Sequence, residues 1–171
     1  MVKYRKRIEG DSMEKMKSVE LKHYSSEYTK ELNGFALTEE QLQFSALPSI
    51  FEEMNEGQHR IVILNDQIPV GFFILNSNER VKKYSTNLNA MLLTALSINH
   101  REQGKGFAKE GMSLLVPFVQ TEFPTCDEIV LVVDQANIPA QKLYVKVGFE
   151  DTNERLVGRV GEEIIMRQVI K

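Results

Sequence analysis

The run Ile98-Asn99-His100-Arg101-Glu102-Gln103-Gly104-Lys105-Gly106-Phe107-Ala108 is where the chain first shows residue types that could do chemistry. Two glycines let a backbone turn tightly and approach a ligand with no Cβ between them. The amides that open the helix expected after them lack internal acceptors. The helix dipole adds partial positive charge at the same place. A pyrophosphate suits that geometry, and Lys105 adds a charge within reach. The same run also suits a turn that only starts a helix. Two other phosphate loops are excluded. GxxxxGK[ST] is absent, and Lys109 stands where the last glycine of GxGxxG would fall. The acidic residue expected about twenty positions later in that second fingerprint is met only loosely, by Asp127 or Glu128.

A second run, Asn137-Ile138-Pro139-Ala140-Gln141-Lys142-Leu143-Tyr144-Val145-Lys146-Val147-Gly148-Phe149, follows downstream. Asn137 precedes Pro139, a favoured early helical residue, so it reads as a cap or turn residue. Ala140, Leu143, Val147 and Phe149 fall at core spacing. Lys142 and Lys146 read as solvated. Tyr144 reads as an amphipathic core aromatic with a bonded hydroxyl.

Elements must hold these runs in place. Ser18–Tyr24 alternates as a half-buried strand does. Ser25 or Ser26 caps a short helix to Leu32, which Asn33-Gly34 ends. Thr38 to Gln41 is a capping box, and its helix should stop near Leu47, before Pro48. Ser49–Asn55 suits another short helix. Arg60–Leu64 and Pro69–Leu75 form a hairpin around Asn65-Asp66-Gln67. Residues 76–87 read as a loop. Asn89–Ile98 is nearly all apolar, as a central strand covered on both faces would be. Gly106–Glu122 is a helix kinked at Pro117. Glu128–Val133 is a second central strand, and Pro139–Val147 is a helix ended by Gly148. Leu156–Val160 and Glu162–Val169 close the chain as a hairpin around Gly161. Strands and helices of this order give an α/β (α+β) domain with about seven strands in a mixed sheet. Residues 1–17 read apart, as an extra strand or a loose arm before a domain spanning 18–171.

Gln103-Gly104-Lys105-Gly106-Phe107-Ala108 resembles the Q/R-x-x-G-x-G/A signature of the GCN5-related N-acetyltransferases (GNAT), with Ala108 where glycine is commoner. Asn137–Phe149 is similar to that family's N-x-x-A-x-x-L-Y-x-K-x-G-F element, in the same order along the chain. The resemblance implies a GNAT-like, mostly antiparallel sheet with helices on both faces. It implies acetyl-CoA as co-substrate, with no metal, and transfer of an acetyl group to a primary amine by direct attack in a ternary complex. Gln103 to Ala108 would cradle the pyrophosphate, and Asn137 would bond the cofactor near its acetyl end. Tyr144 would touch the cofactor and protonate the leaving thiolate. Leu96, Ser97 and Ile98 would act through main-chain atoms, on a strand splayed from its neighbour at a bulge. The resemblance also places the acceptor pocket within Tyr24–Met54 and Glu154–Gly161. Phe35, Phe44, Leu47 and Phe51 are candidates to line it, or to be core.

Asn89–Ile98 contains no acid and no histidine, so that strand supplies no general base. Glu27, Glu79 and Tyr84 are candidates from elsewhere, and His100 reads as a surface residue. The missing acid keeps a non-catalytic acyl-CoA-binding sensor as the alternative. A site for another phosphate ligand, NAD or ATP, is a third reading.

Composition sets the outer limits. The chain is 42% hydrophobic and 26% charged, as soluble domains are, and no apolar run is long enough to span a bilayer. The basic N-terminus has no apolar stretch behind it, so it is no secretory signal, and a cytoplasmic location is expected. Cys126 is alone, and the three histidines lack zinc-site spacing. A net charge of −3 gives no footprint for nucleic acid. The expected partner is a small-molecule or protein amine, with no nucleic acid and no membrane. A homodimer is the one assembly left open.

Overall fold

In the computed structural model, the backbone is described for residues 3–6 and 17–170, and side chains for residues 18–170. Eight described strands form one sheet: β1 Lys3–Lys6, β2 Lys17–His23, β3 Gln58–Asn65, β4 Ile68–Asn76, β5 Ala90–Ile98, β6 Glu128–Asp134, β7 Glu150–Val157 and β8 Glu162–Val169. Their order is β1-β2-β3-β4-β5-β6-β8-β7. All neighbours run antiparallel except β5 and β6. The seven strands from β2 onward are those expected, and β1 adds an eighth beside β2. The remainder of the proposed 1–17 extension lies outside the described residues.

The helices are α1 Thr29–Asn33, α2 Glu39–Leu42, α3 Phe107–Ser113, α4 Leu115–Glu122 and α5 Ile138–Lys146. Successive side chains of a strand point to opposite faces, and each face has its own core. One joins Ile63, Phe73, Leu93, Leu131 and Ile164 to α3, α4 and α5. The other joins Val62, Phe72 and Ile74 to Tyr28, Leu32 and Phe35 around α1. Ile61 to Leu64 and Phe73 to Leu75 are fully buried between the two layers. This continuous apolar run is what a strand covered on both faces requires.

Several expectations are corrected. The helix expected over Gly106–Glu122 is two, interrupted at Leu114, three residues before Pro117. The proline ring crowds the carbonyl four residues back and offers no N–H to it, so the break falls upstream of Pro117 itself. α2 ends at Leu42 rather than near Leu47. Leu47 is extended ahead of Pro48, and the Ser45 hydroxyl turns away to donate to the Leu96 carbonyl at 2.9 Å. The capping box itself forms, with Thr38 and Gln41 bonding reciprocally. Glu79–Lys83 is a 3-10 helix inside the expected loop. β7 starts at Glu150, not Leu156. Its first half is charged and lies at the sheet edge, so it shows no apolar alternation.

Candidate active site at the β5–β6 gap

β5 and β6 pair from Ala90 with Glu128 as far as Leu93 with Leu131, and no further. From Thr94 to Ile98, β5 has no backbone partner on that side. The cause lies within β5. Its register against β4 slips by one residue between the Phe72–Ser97 and Ile74–Thr94 pairs. Ala95 takes up the extra residue at φ +59°, a left-handed conformation that favours glycine. The strand therefore bends away from β6 and leaves a gap through the sheet. The implied splay at a bulge is thus present.

A cleft of about 620 Å³ occupies the gap. Its wall on the α3–α5 side includes Ile98, Gln103, Ala108, Asn137, Ala140, Leu143 and Tyr144. On the other side it is lined by Thr38, Gln41, Phe44, Ser45, Ala95, Ser97, Asp134 and Glu163. The two motifs of the sequence, one after β5 and one after β6, therefore meet at a single opening.

The structure places the expected site residues in different ways. Leu96, Ser97, Ile98, Gln103, Ala108, Asn137 and Tyr144 line the cleft, whereas Gly104, Lys105, Gly106 and Phe107 do not. Gly104 and Gly106 both have positive φ, +76° and +85°. A Cβ on Gly104 would meet nothing within 4 Å, so that turn faces open space. Lys105 is held by Glu102 at 3.1 Å, which offsets part of its charge. Phe107 is 4% exposed and belongs to the core under α3. The Gln103 side chain bonds protein groups: its amide donates to the Ile98 carbonyl at 2.9 Å, and its oxygen accepts from Gln41. It ties the end of β5 to α2.

The Asn137 oxygen accepts from the Ala140 amide at 3.3 Å and caps α5. No hydrogen bond from its side-chain NH2 is found among the described residues, so a ligand in the cleft can take one. Tyr144 is 8% exposed, with its ring edge-on to Phe149 at 5.6 Å between centroids. Its hydroxyl makes no hydrogen bond among the described residues. Burial pushes the phenol well above its ordinary pKa, so Tyr144 holds its proton throughout the physiological range. Ser97 is 4% exposed, and its Oγ is buried without a partner.

The base candidates raised from sequence lie elsewhere. Glu27 is exposed and accepts from Ser25 at 3.1 Å. Glu79 pairs with Lys82 at 2.9 Å, and Tyr84 packs on a small cluster with Val81 and Leu92. His100 is exposed. Of the four apolar candidates for the acceptor pocket, Phe44 lines the cleft. Phe35 is core, and Leu47 and Phe51 pack against it. Sequence reasoning missed Asp134 and Glu163. They face each other in the β6–β8 register and both line the cleft. A polar residue ending the apolar run of β6 and another opening that of β8 were the available signals.

Residues 21–149 match the Acetyltransferase (GNAT) family, and the chain belongs to that family. It is an N-acetyltransferase that takes acetyl-CoA as acyl donor. A curated relative from Bacillus subtilis (strain 168), the uncharacterized N-acetyltransferase YbbJ, is 42% identical over 156 residues, which are 89% of this chain and 98% of the relative. Among solved structures, AAC(6')-Ib in complex with ribostamycin and coenzyme A superposes with a TM-score of 0.70 at 17% identity. The match covers 88% of this chain and 93% of that one. A chimera of the spermidine N-acetyltransferase SpeG from Vibrio cholerae gives 0.64 at 18% identity, over 89% and 95% of the two chains. At these identities, the likeness is one of fold.

Proposed function

We propose that the enzyme acetylates a primary amine of a small molecule by direct attack in a ternary complex, with Tyr144 as the acid that protonates the departing thiolate. The observation that carries this reading is the Tyr144 hydroxyl. It is protonated and makes no described bond within the protein, and Tyr144 lines the β5–β6 gap.

The residues fit the co-substrate. The left-handed Gly104 turn faces open space, the Asn137 NH2 lacks a described partner, and the β5 backbone beyond Leu93 has no strand on its β6 side. Acetyl-CoA, when bound, supplies an activated acyl carbon and a good leaving group. Gln103 to Ala108 would hold the pyrophosphate through main-chain amides at the start of α3. The Leu96 and Ile98 carbonyls already accept from Ser45 and Gln103, so the main-chain amides of Leu96, Ser97 and Ile98 would align the arm and polarise the thioester carbonyl. Asn137 would bond near the acetyl end. Most of the rate gain would come from fixing amine and thioester in one cleft.

Small amine acceptors are supported by structures of the same fold, which include a ribostamycin complex and a spermidine acetyltransferase. A cytoplasmic location goes with this reading; Cys126 is the sequence's one cysteine and is in no internal disulfide. Assembly as a homodimer also belongs to it, and sedimentation at two concentrations checks it.

Replacing Tyr144 with Phe tests the central role. Turnover should fall about 100-fold or more, the scale of a positioned acid, with acetyl-CoA affinity kept. Unchanged turnover would remove Tyr144 from the mechanism.

A further inference from the structure

Asp134 and Glu163 stand directly opposite each other on antiparallel neighbours. Val133 and Ile164, the next residues of each strand, are buried in the core under α3–α5. The pleat therefore sends both carboxyl groups to the other face of the sheet, where α2 covers the cleft. Like charges in this arrangement are destabilising. Among the described residues, neither carboxyl group has an ion-pair or hydrogen-bond partner. Ser97 provides an independent sign of a ligand on the same wall. It pairs with Phe72, of the core on that face, and its buried Oγ lacks any partner. A buried hydroxyl left unsatisfied is costly unless something bound there completes it. The turn between β7 and β8 closes over this end, where the Arg159 guanidinium donates to the Gln43 carbonyl at 3.1 Å.

We propose that Asp134, Glu163 and Ser97 form the acceptor subsite: they bind a cationic primary ammonium group, which enters from the face opposite the cofactor loop, and Glu163 takes its proton. This rests on the acetyl transfer proposed above. Asp134 holds the charge and Ser97 accepts an N–H. One ammonium proton passes to the Glu163 carboxylate and on to solvent. The freed nitrogen pair forms the N–C bond to the thioester carbonyl, and the C–S bond breaks. The Tyr144 hydroxyl protonates the sulfur, and a second nitrogen proton returns to Tyr144 through solvent. The sum is ammonium plus acetyl thioester to amide, thiol and one proton.

The charged groups around Glu163 agree with such a role. Burial raises its pKa first, then the Asp134 carboxylate from β6 raises it further, and Lys83 from the 79–83 helix opposes both. Leu156 lies opposite on β7, and Glu40 of α2 lines the same cleft. A proton acceptor with a raised pKa is closer to the working pH than an ordinary carboxylate.

Calorimetry of the coenzyme A complex with 1,4-diaminobutane, and with butane-1,4-diol as the uncharged match, tests binding apart from turnover. The diamine should bind and the diol should not. Asp134→Asn and Glu163→Gln should each weaken diamine binding about 10-fold or more. With a diamine that is acetylated, Glu163→Gln should lower kcat about 100-fold or more and abolish the acid limb of the pH profile. Glu163→Asp should restore part of the rate, and Lys83→Met should move that limb to higher pH. Acetyl-CoA affinity and melting temperature report that each variant is folded. Equal binding of diamine and diol, or a Glu163→Gln enzyme with unchanged kcat and acid limb, would overturn the inference and leave acetyl transfer standing. Charge-selective diamine binding lost in both variants, with no amine acetylated by the wild type, would support the subsite while overturning the transfer reading.

Discussion

Asn137 uses one half of its amide on the protein and leaves the other half unused. Its oxygen caps α5, while its NH2 has no described partner. Two substitutions separate these jobs. Asn137→Ala should cost about 1 kcal/mol of stability, the usual effect of removing a cap, measured by chemical denaturation. Asn137→Asp keeps the cap acceptor and loses the donor, so stability should hold while acetyl-CoA binds more weakly. Tyr144 resembles Asn137 in joining a packing role to the chemical one proposed for it. Its ring packs on Phe149, and the residue lines the cleft. Both residues were legible in the sequence because they belong to one compact motif. Asp134 and Glu163 were not. They lie 29 positions apart (163 − 134) and meet only through strand pairing, which no local spacing reports.

At the scale of elements, the bulge in β5 creates the site. A residue at φ +59° tolerates Ala and favours Gly, but a β-branched side chain there is a severe outlier. Ala95→Val should therefore cost about 1–3 kcal/mol of stability and reduce acetyl-CoA binding, because β5 would close toward β6. Unchanged denaturation and binding would show that the bulge does not depend on residue 95. The facing carboxylates give a prediction of opposite sign. A carboxyl whose folded-state pKa is raised opposes folding once pH exceeds its ordinary value, and this opposition vanishes below that value. Glu163→Gln should thus raise the melting temperature at pH 7, by about 1–3 °C on the usual scale of a facing like-charge pair, and have little effect near pH 3. The buried strands β3 to β6 were readable as apolar runs, whereas the start of β7 was not. Edge residues such as Glu150 and Asp151 bury nothing, so no periodicity marks them. The break between α3 and α4 was visible as Pro117, but its position follows from a backbone clash that hydrophobic pattern does not encode.

The described residues form a sheet with a core on each face and a gap between β5 and β6. The α3–α5 face carries the loop proposed to hold the cofactor, and the α2 face carries the carboxylates. Acyl donor and acceptor would then arrive from opposite sides of the sheet. Binding of acetyl-CoA to the folded state alone should stabilise the protein by about 2.7 kcal/mol at 100 times its Kd, a melting shift of about 5–10 °C for a domain of this size. NAD and ATP should produce no comparable shift. The most direct test is steady-state release of coenzyme A thiol from acetyl-CoA over a panel of cationic primary amines, with mass spectrometry of the amine. Saturable release matched one for one by acetylated amine is expected. Tight acetyl-CoA binding with no amine acetylated would contradict it and mark the chain as an acyl-CoA sensor.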